Sequence, residues 1–494
     1  MNTKKFIFLL LVSLLVLTEG VMSSDLSNSA IHTKTINTKK IESLIQQHIP
    51  NTKVGIILQN AKTGETLYKY HADEAFTPAS CTKLLTAAAG LLYLGPDYHY
   101  ETAIKIKNNS MLGNIVNGDI YFQFSGDPSL TSQDLKALIK ELRNAGVLVI
   151  KGNIIIDDTR FKGLNYGLGW IWNSLWWYYS APITTVMLNQ NAVQVELSPT
   201  KAIGEKIVAT LDPNEASRIT LRQDLISVSE EDAGKNCIIS IDTNAQNDIE
   251  LKGCWPVQAE KSTLKIAFKD PNYYARKVIM EAFKEEELRF VGEIKEGVSI
   301  KDDQDLKTVA VHNSQPFTEL LKPILQDSNN IYTESVTKTL GFMRLQEGSF
   351  QGGVRAIQEI LSEKLKFDTK NMRLMDGSGL SRYNLITPHQ FADLLFGMYK
   401  NKTFADTFRN TLATTGENGT LKDRGDQKPQ GEETPSGKIY AKTGSLMGVS
   451  TLSGYITTKK GEDLIFSIMI DDALQDKKII KNFEDELCRL FSNV

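Results

Sequence analysis

Cysteine and histidine are scarce in this chain. Four cysteines occur in 494 residues, Cys81, Cys237, Cys254 and Cys488, with no Cys-x-x-Cys pair and no zinc-ligand spacing. The six histidines do not cluster, so no metal centre is expected, and no sequence feature calls for an organic cofactor. There is no excess of charge: 56 Lys and Arg stand against 59 Asp and Glu, a formal net charge of -3. That balance removes the electrostatic case for a nucleic-acid partner. A long hydrophobic run is lacking too. The longest, Phe6 to Leu17, is about a dozen residues, short of the roughly twenty needed to cross a bilayer, so no integral membrane domain is expected. Internal repeats are absent.

What is present begins with that short run. Lys4 and Lys5 precede it, and small and polar residues (Ser23, Ser24, Ser27) follow. Basic, apolar, polar is the order of a secretory signal, here 1–24, and predicts an exported, periplasmic protein. An uncleaved N-terminal anchor is the alternative. No cysteine lies beside the run to carry a lipoprotein anchor. Export permits disulfides: Cys237 and Cys254 bracket a strand-turn-strand stretch and are placed either to pair or to remain as two buried thiols.

The rest of the chain changes texture twice. Thr38 to His48 reads as an amphipathic helix, and Val54 to Leu58 with Thr66 to Tyr70 as a hairpin. Ser80 opens an apolar helix that Gly95-Pro96 ends. From about 101 to 304 short alternating runs predict one or two β-rich modules. They hold an aromatic cluster, Trp170, Trp172, Trp176, Trp177, Tyr178 and Tyr179, which fits either a packed core or the wall of a groove. Longer helices return after that, and the chain ends β then α. The hairpin before Ser80 needs partners, and the C-terminal strands supply them. The predicted fold is one α/β domain in two halves, 36–100 and 305–494, split by a β-rich insert at 101–304.

Three short motifs carry the chemistry. Ser80-Cys81-Thr82-Lys83 puts a serine and a lysine on one helix face, three residues apart. A serine hydroxyl is a weak nucleophile until a base takes its proton, and a lysine among other cations or in an apolar site is neutral enough to do so. The spacing alone is weak: Ser198 with Lys201, Ser262 with Lys265 and Ser335 with Lys338 repeat it. Ser198 precedes a proline and Ser262 a strand, while Ser335 and Lys338 read as a solvated helix face. Second is Ser328-Asn329-Asn330 at a helix start, where serine and asparagine also serve as caps. Third is Lys442-Thr443-Gly444, leading into Ser445 on a strand. Lys62-Thr63-Gly64 duplicates it inside the hairpin turn. The ordered set is what matters: Ser-x-x-Lys, Ser-x-Asn and Lys-Thr-Gly in this sequence are the signature of serine β-lactamases and penicillin-binding proteins, and the split-domain reading puts all three in one domain.

On these motifs the chain from about Ile41 onward resembles the class C low-molecular-mass penicillin-binding proteins, the D-alanyl-D-alanine carboxypeptidase/endopeptidases. Ser125-Gly126-Asp127-Pro128, Tyr179-Ser180-Ala181-Pro182 with Asn189 and Asn191, and Asp376-Gly377-Ser378-Gly379-Leu380-Ser381 are similar to segments of that family, and the large insert is shared. The resemblance implies a transpeptidase-type fold with an antiparallel sheet. It implies Ser80 as the acylated serine, Lys83 as general base and Ser328 as relay of a proton to the leaving D-alanine. Asn330 would hold Lys83 and the peptide, Lys442 and Thr443 the terminal carboxylate, and the N–H groups of Ser80 and Ser445, with Gly444 between Thr443 and Ser445, the oxyanion. It implies peptidoglycan peptides and β-lactams as partners. At Gly169-Trp170-Ile171-Trp172-Asn173-Ser174 the chain departs, since family members often carry an acid there and this chain has Asn173 and Ser174. The stem-peptide preference therefore does not carry over. An esterase or β-lactamase on the same scaffold, and a non-catalytic peptide-binding module, are the competing readings.

Overall fold

The strand Lys53–Asn60 is buried along nearly its whole length, as a central strand must be. It pairs antiparallel with Thr66–Tyr70 on one side. On the other it pairs with Asp463–Asp471, from Lys53 opposite Asp471 to Asn60 opposite Leu464. The two ends of the sequence thus meet in one sheet. Its order is Ala413–Thr414, Ile439–Leu446, Val449–Thr457, Asp463–Asp471, Lys53–Asn60, Thr66–Tyr70, every neighbouring pair antiparallel. The computed structural model describes residues 36–198, 200–300, 303–424 and 437–494; the secretory segment expected at 1–24 lies outside them.

Side-chain alternation along Lys53–Asn60 explains why helices cover both faces. Val54, Ile56 and Leu58 share a core with the terminal helices Thr38–His48 and Lys477–Ser492, through Ile41, Leu44, Phe483 and Leu487. Ile57 points the other way, into a core with Leu84 and Leu85 of the helix Lys83–Tyr93 and with Phe317, Val336, Ile357 and Phe391. Every residue from Lys83 to Leu91 is buried, so this helix is central to the domain.

The insert leaves and rejoins the domain through neighbouring strands. Glu101–Lys107 and Leu306–Asn313 are antiparallel partners, so the inserted chain starts and ends at one place, which lets a folded module be added without parting the host. These two strands belong to a five-stranded sheet, flanked by smaller ones. One apolar core, from Ile104 and Phe122 to Tyr274 and Phe283, runs through the insert. The hairpin of Ser240–Thr243 with Ile249–Pro256 brings Cys237 to Cys254, and the two are joined as a disulfide. Cys81 and Cys488 are buried free thiols. Among the described residues no helix is long and apolar enough to cross a membrane.

Candidate active site

Pro78 leads into a short 3₁₀ turn, Ala79–Thr82, before the helix begins at Lys83. Ser80 therefore sits in a tight turn rather than in the helix proper. Ala79 takes φ 44°, a left-handed conformation that a side-chain-bearing residue keeps only when its surroundings enforce it. They do: the Thr82 hydroxyl donates to the Ala79 carbonyl at 2.8 Å, and Gly379 presses on that carbonyl from outside. A Cβ on Gly379 would lie 1.7 Å from the Ala79 oxygen, and its φ is +84°, so no other residue fits there.

Lys83 is fully buried. Its Nζ donates to Ser80 Oγ at 3.0 Å, to Asn330 Oδ1 at 2.7 Å and to the Ser378 carbonyl at 2.7 Å. Three acceptors match the three N–H bonds of an ammonium. A neutral amine has two N–H and one lone pair. The two shorter bonds go to oxygens that can only accept, so the lone pair of the neutral form falls on the Ser80 hydroxyl. Burial, and next the Lys442 ammonium, push the Lys83 amine well below its ordinary range, against the opposing pull of Glu334 and Asp376.

The three acceptors are themselves held. Asn330 opens the helix Asn330–Leu345, and its Nδ2 donates to the Tyr179 carbonyl at 2.8 Å, which fixes Oδ1 toward Lys83. The cap of that helix is Asn329, whose side chain accepts from Tyr332 N. Capping is thus done by the middle residue of Ser-Asn-Asn, and the flanking two are left for other work. Glu334, one turn further on, accepts from the N–H of Gly377 and of Ser378; burial, with Asp376 beside it, pushes its carboxyl upward. Asp376 accepts from Gly379 N, Ser381 N, Asn384 Nδ2 and Trp170 Nε1 at 2.6 to 2.9 Å. The Asp376–Ser381 loop is thereby clamped so that one carbonyl reaches Lys83.

The strand Ile439–Leu446 closes the opposite side. Lys442 is fully buried, donates to the Thr443 carbonyl at 2.7 Å, and is lowered by burial to about 8. Thr443 Oγ1 donates to Thr420 Oγ1 at 2.7 Å. A Cβ at Gly444 would stand 2.2 Å from Thr451 Oγ1 and 2.8 Å from the Ser80 nitrogen. Glycine here lets the strand backbone run directly against the Ser80 amide. Ser445 follows, exposed and paired with Ser450. Cys81 donates from Sγ to the Lys442 carbonyl at 3.1 Å and accepts from Thr451. Burial raises its thiol, so it stays protonated and acts as a spacer between turn and strand.

Lys83 thus bonds Ser80 and Asn330 directly, and the Gly444 backbone runs against the Ser80 amide, with Lys442, Thr443 and Ser445 beside Gly444 on the strand and Ser328 two residues before Asn330. The duplicate motifs separate from them. Lys62-Thr63-Gly64 lies in an exposed turn, where Asn60 Oδ1 accepts from Lys62 N and Thr63 N. Lys62→Ala is expected to leave the rate of β-lactam acylation within twofold of wild type in a stopped-flow assay; a large loss would put the wrong Lys-Thr-Gly in the site. Ser335 and Lys338 are not the solvated face that their spacing suggested. Both are buried. Ser335 donates to the Gly126 carbonyl, and Lys338 donates to the carbonyls of Leu164 and Ile183 at 2.8 Å and lies over the Phe350 ring. They fasten the helix to the insert, because buried backbone carbonyls need donors. The aromatic cluster divides: Trp170 is buried on Asp376, Trp172 is 72% exposed, and Tyr178 and Tyr179 line a cavity beside Ser328. Asn173 is exposed and Ser174 half-buried.

Glu334 carried no sequence signal. It is an acid inside a helix, and only the fold shows that it faces the Asp376 loop. Tyr179 acts through its carbonyl, which no side-chain pattern reports.

The model of the D-Ala-D-Ala carboxypeptidase 3 (S13) family matches residues 37–494. The D-alanyl-D-alanine carboxypeptidase DacB of Haemophilus influenzae is 29% identical over 430 residues, 86% of this chain and 87% of that protein. The D-alanyl-D-alanine carboxypeptidase of Actinomadura sp. (strain R39) is 31% identical over 426 residues, 84% of this chain and 77% of that one. The crystal structure of penicillin binding protein 4 from Haemophilus influenzae superposes with a TM-score of 0.82 at 27% identity, covering 92% of this chain and 99% of that chain. With a match across nearly the whole described chain and a split α/β domain carrying the three motifs face to face, this protein belongs to the D-Ala-D-Ala carboxypeptidase 3 (S13) family and is a class C low-molecular-mass penicillin-binding protein.

Proposed function

We propose that the chain is a serine D-alanyl-D-alanine carboxypeptidase with endopeptidase activity, acting on peptidoglycan stem peptides and cross-links through an acyl-enzyme on Ser80. The observation that carries this is the fully buried Lys83 amine at 3.0 Å from Ser80 Oγ, its other two bonds directed to acceptors. Ser80 Oγ adds to the penultimate D-alanine carbonyl as its proton passes to Lys83 Nζ. The N–H groups of Ser80 and Ser445 receive the oxyanion, an assignment supported by how closely the Gly444 backbone approaches Ser80 N. The C–N bond breaks, and the leaving amine takes the proton by way of Ser328. Lys442 and Thr443 hold the terminal carboxylate, and Asn330 keeps Lys83 in place. Water, deprotonated by Lys83, then cleaves the ester and restores Ser80. Cleaving a cross-link is the same step with a residue of a neighbouring strand as leaving group. A β-lactam acylates the same serine and leaves slowly. The chemistry needs no metal or organic cofactor.

The secretory reading of 1–24 and the location of this substrate favour export to the periplasm. Catalytic halves at 36–100 and 305–494 around the insert at 101–304 complete the proposal, and the pairing of Leu306–Asn313 with Glu101–Lys107 favours moving the second boundary past Asn313. Intact-mass spectrometry with benzylpenicillin, then peptide mapping, tests the site. The expected result is one penicilloyl group on the peptide containing Ser80. An adduct mapped elsewhere overturns the site, and rapid penicillin consumption without an adduct means a β-lactamase.

A further inference from the structure

A cavity of about 410 Å³ is lined by Ser328 and Asn330 on one side and by residues of the insert on the other. Asp327, Ser328, Tyr178, Gln190, Gln194 and Lys265 line it. Its far wall is built by two inserted strands, Ala192–Leu197 and Ser262–Ala267, in which Gln194 and Lys265 are directly opposite each other and both exposed. Cross-strand partners share one face, so an amide and an ammonium are presented side by side. Lys265 has no carboxylate partner among the described residues; its Nζ lies 5.3 Å from the centre of the Tyr178 ring. The near wall is held in a costly shape. Asn189, Gln190 and Asn191 have φ of 52°, 58° and 54°, and Ser328 has φ 60°. The two left-handed turns meet where Asn329 Nδ2 donates to Gln190 Oε1 at 2.7 Å. Three of these residues are consecutive and none of the four is glycine; surrounding bonds hold the three-residue turn, Asn189 to Ser132 N and Tyr274 OH and Asn191 to the Pro182 carbonyl. The strain sets the insert against the loop that carries Ser328.

The position of the cavity fixes what it would hold. If Ser328 hands a proton to the leaving amine, whatever is attached to that amine continues past Ser328. Free D-alanine ends there. The leaving residue of a cross-link does not: a second stem peptide, bearing several carboxylates, is attached to it. We propose that this cavity is the subsite for the leaving strand of a cross-linked substrate, with Lys265 meeting a carboxylate of that strand and Gln194 its backbone amides. The assignment rests on the acyl-enzyme reading above and concerns only the choice between cross-link and free terminus, so Lys265 plays no part in releasing D-alanine.

The test compares two substrates on the full chain: a purified cross-linked muropeptide dimer and a stem pentapeptide ending in D-Ala-D-Ala. Lys265→Glu is expected to raise KM for the dimer about tenfold with kcat little changed. Its kinetics on the pentapeptide, and its acylation by benzylpenicillin, should stay within about twofold of wild type. Lys265→Arg should restore the dimer KM, and added salt should raise the wild-type KM for the dimer more than that for the pentapeptide. Equal losses on both substrates, no loss on either, or a wild-type protein that leaves the dimer uncut would overturn the subsite. If instead the wild-type protein takes up no penicilloyl group and releases no D-alanine, the acyl-enzyme reading fails first and the subsite falls with it.

Discussion

Ser80→Ala is expected to remove penicilloyl-enzyme formation and D-alanine release together, with no detectable residual rate. The proposed nucleophile has no understudy. Cys81 is adjacent, but its thiol is buried, held protonated and bonded to the Lys442 carbonyl. Ser335 repeats the Ser-x-x-Lys spacing, yet it is locked to the Gly126 carbonyl, and its lysine is committed to the carbonyls of Leu164 and Ile183. Removing an activated nucleophile of this kind costs about 10⁶-fold. The fold should be unaffected. Ser80 gives up one bond from Lys83, which keeps Asn330 and Ser378, a change of about 1 kcal/mol. Intact mass after overnight exposure to benzylpenicillin, beside a thermal melt, separates the two effects. A stable variant that still gains the mass of penicillin would sink the assignment and turn attention to Ser335.

The sequence announced the candidate reacting groups more completely than their supports. Ser80, Lys83, Asn330 and Lys442 are legible as candidates because each is a side chain at a fixed spacing within a short motif, and the fold brings them to one place. The sheet was legible because Val54 to Leu58 is apolar on both faces and needed partners that only the C-terminal strands could supply. What stayed hidden acts at long range or through the backbone. The Tyr179 and Ser378 carbonyls orient Asn330 and Lys83, and a carbonyl leaves no mark on a sequence. Glu334 and Asp376 became neighbours only when the helix and loop packed. Ser335 and Lys338 read from sequence as surface because two polar residues on a helix face usually meet water, whereas here the insert covers that face and brings carbonyls in need of donors.

Lys83→Ala is expected to slow acylation about 10³-fold, the usual contribution of a positioned general base, and to change its pH dependence. Only the neutral amine has a lone pair for the Ser80 proton. In the wild-type protein the rate therefore rises with pH as Lys83 loses its proton, and burial together with Lys442 brings that rise well below the ordinary lysine range. Lys442 works in the opposite sense. In the proposed mechanism its ammonium meets the substrate carboxylate, and its amine is lowered to about 8, so the rate is expected to fall as pH climbs through that region. Two lysines in opposite protonation states give a bell-shaped profile from groups that, unperturbed, would both titrate above pH 10. Lys83→Ala should lose the acid limb along with most of the rate. Its vacated site leaves Asn330 Oδ1 and the Ser378 carbonyl to accept from water, and circular dichroism establishes that the protein is folded. Lys442→Arg should keep the acid limb and lose the alkaline one, since a guanidinium does not titrate in this range. Acylation rates from pH 5 to 10 for the three proteins decide the matter. An unchanged bell in Lys83→Ala would place the base elsewhere, and an alkaline limb that persists in Lys442→Arg would assign that limb to a group other than Lys442.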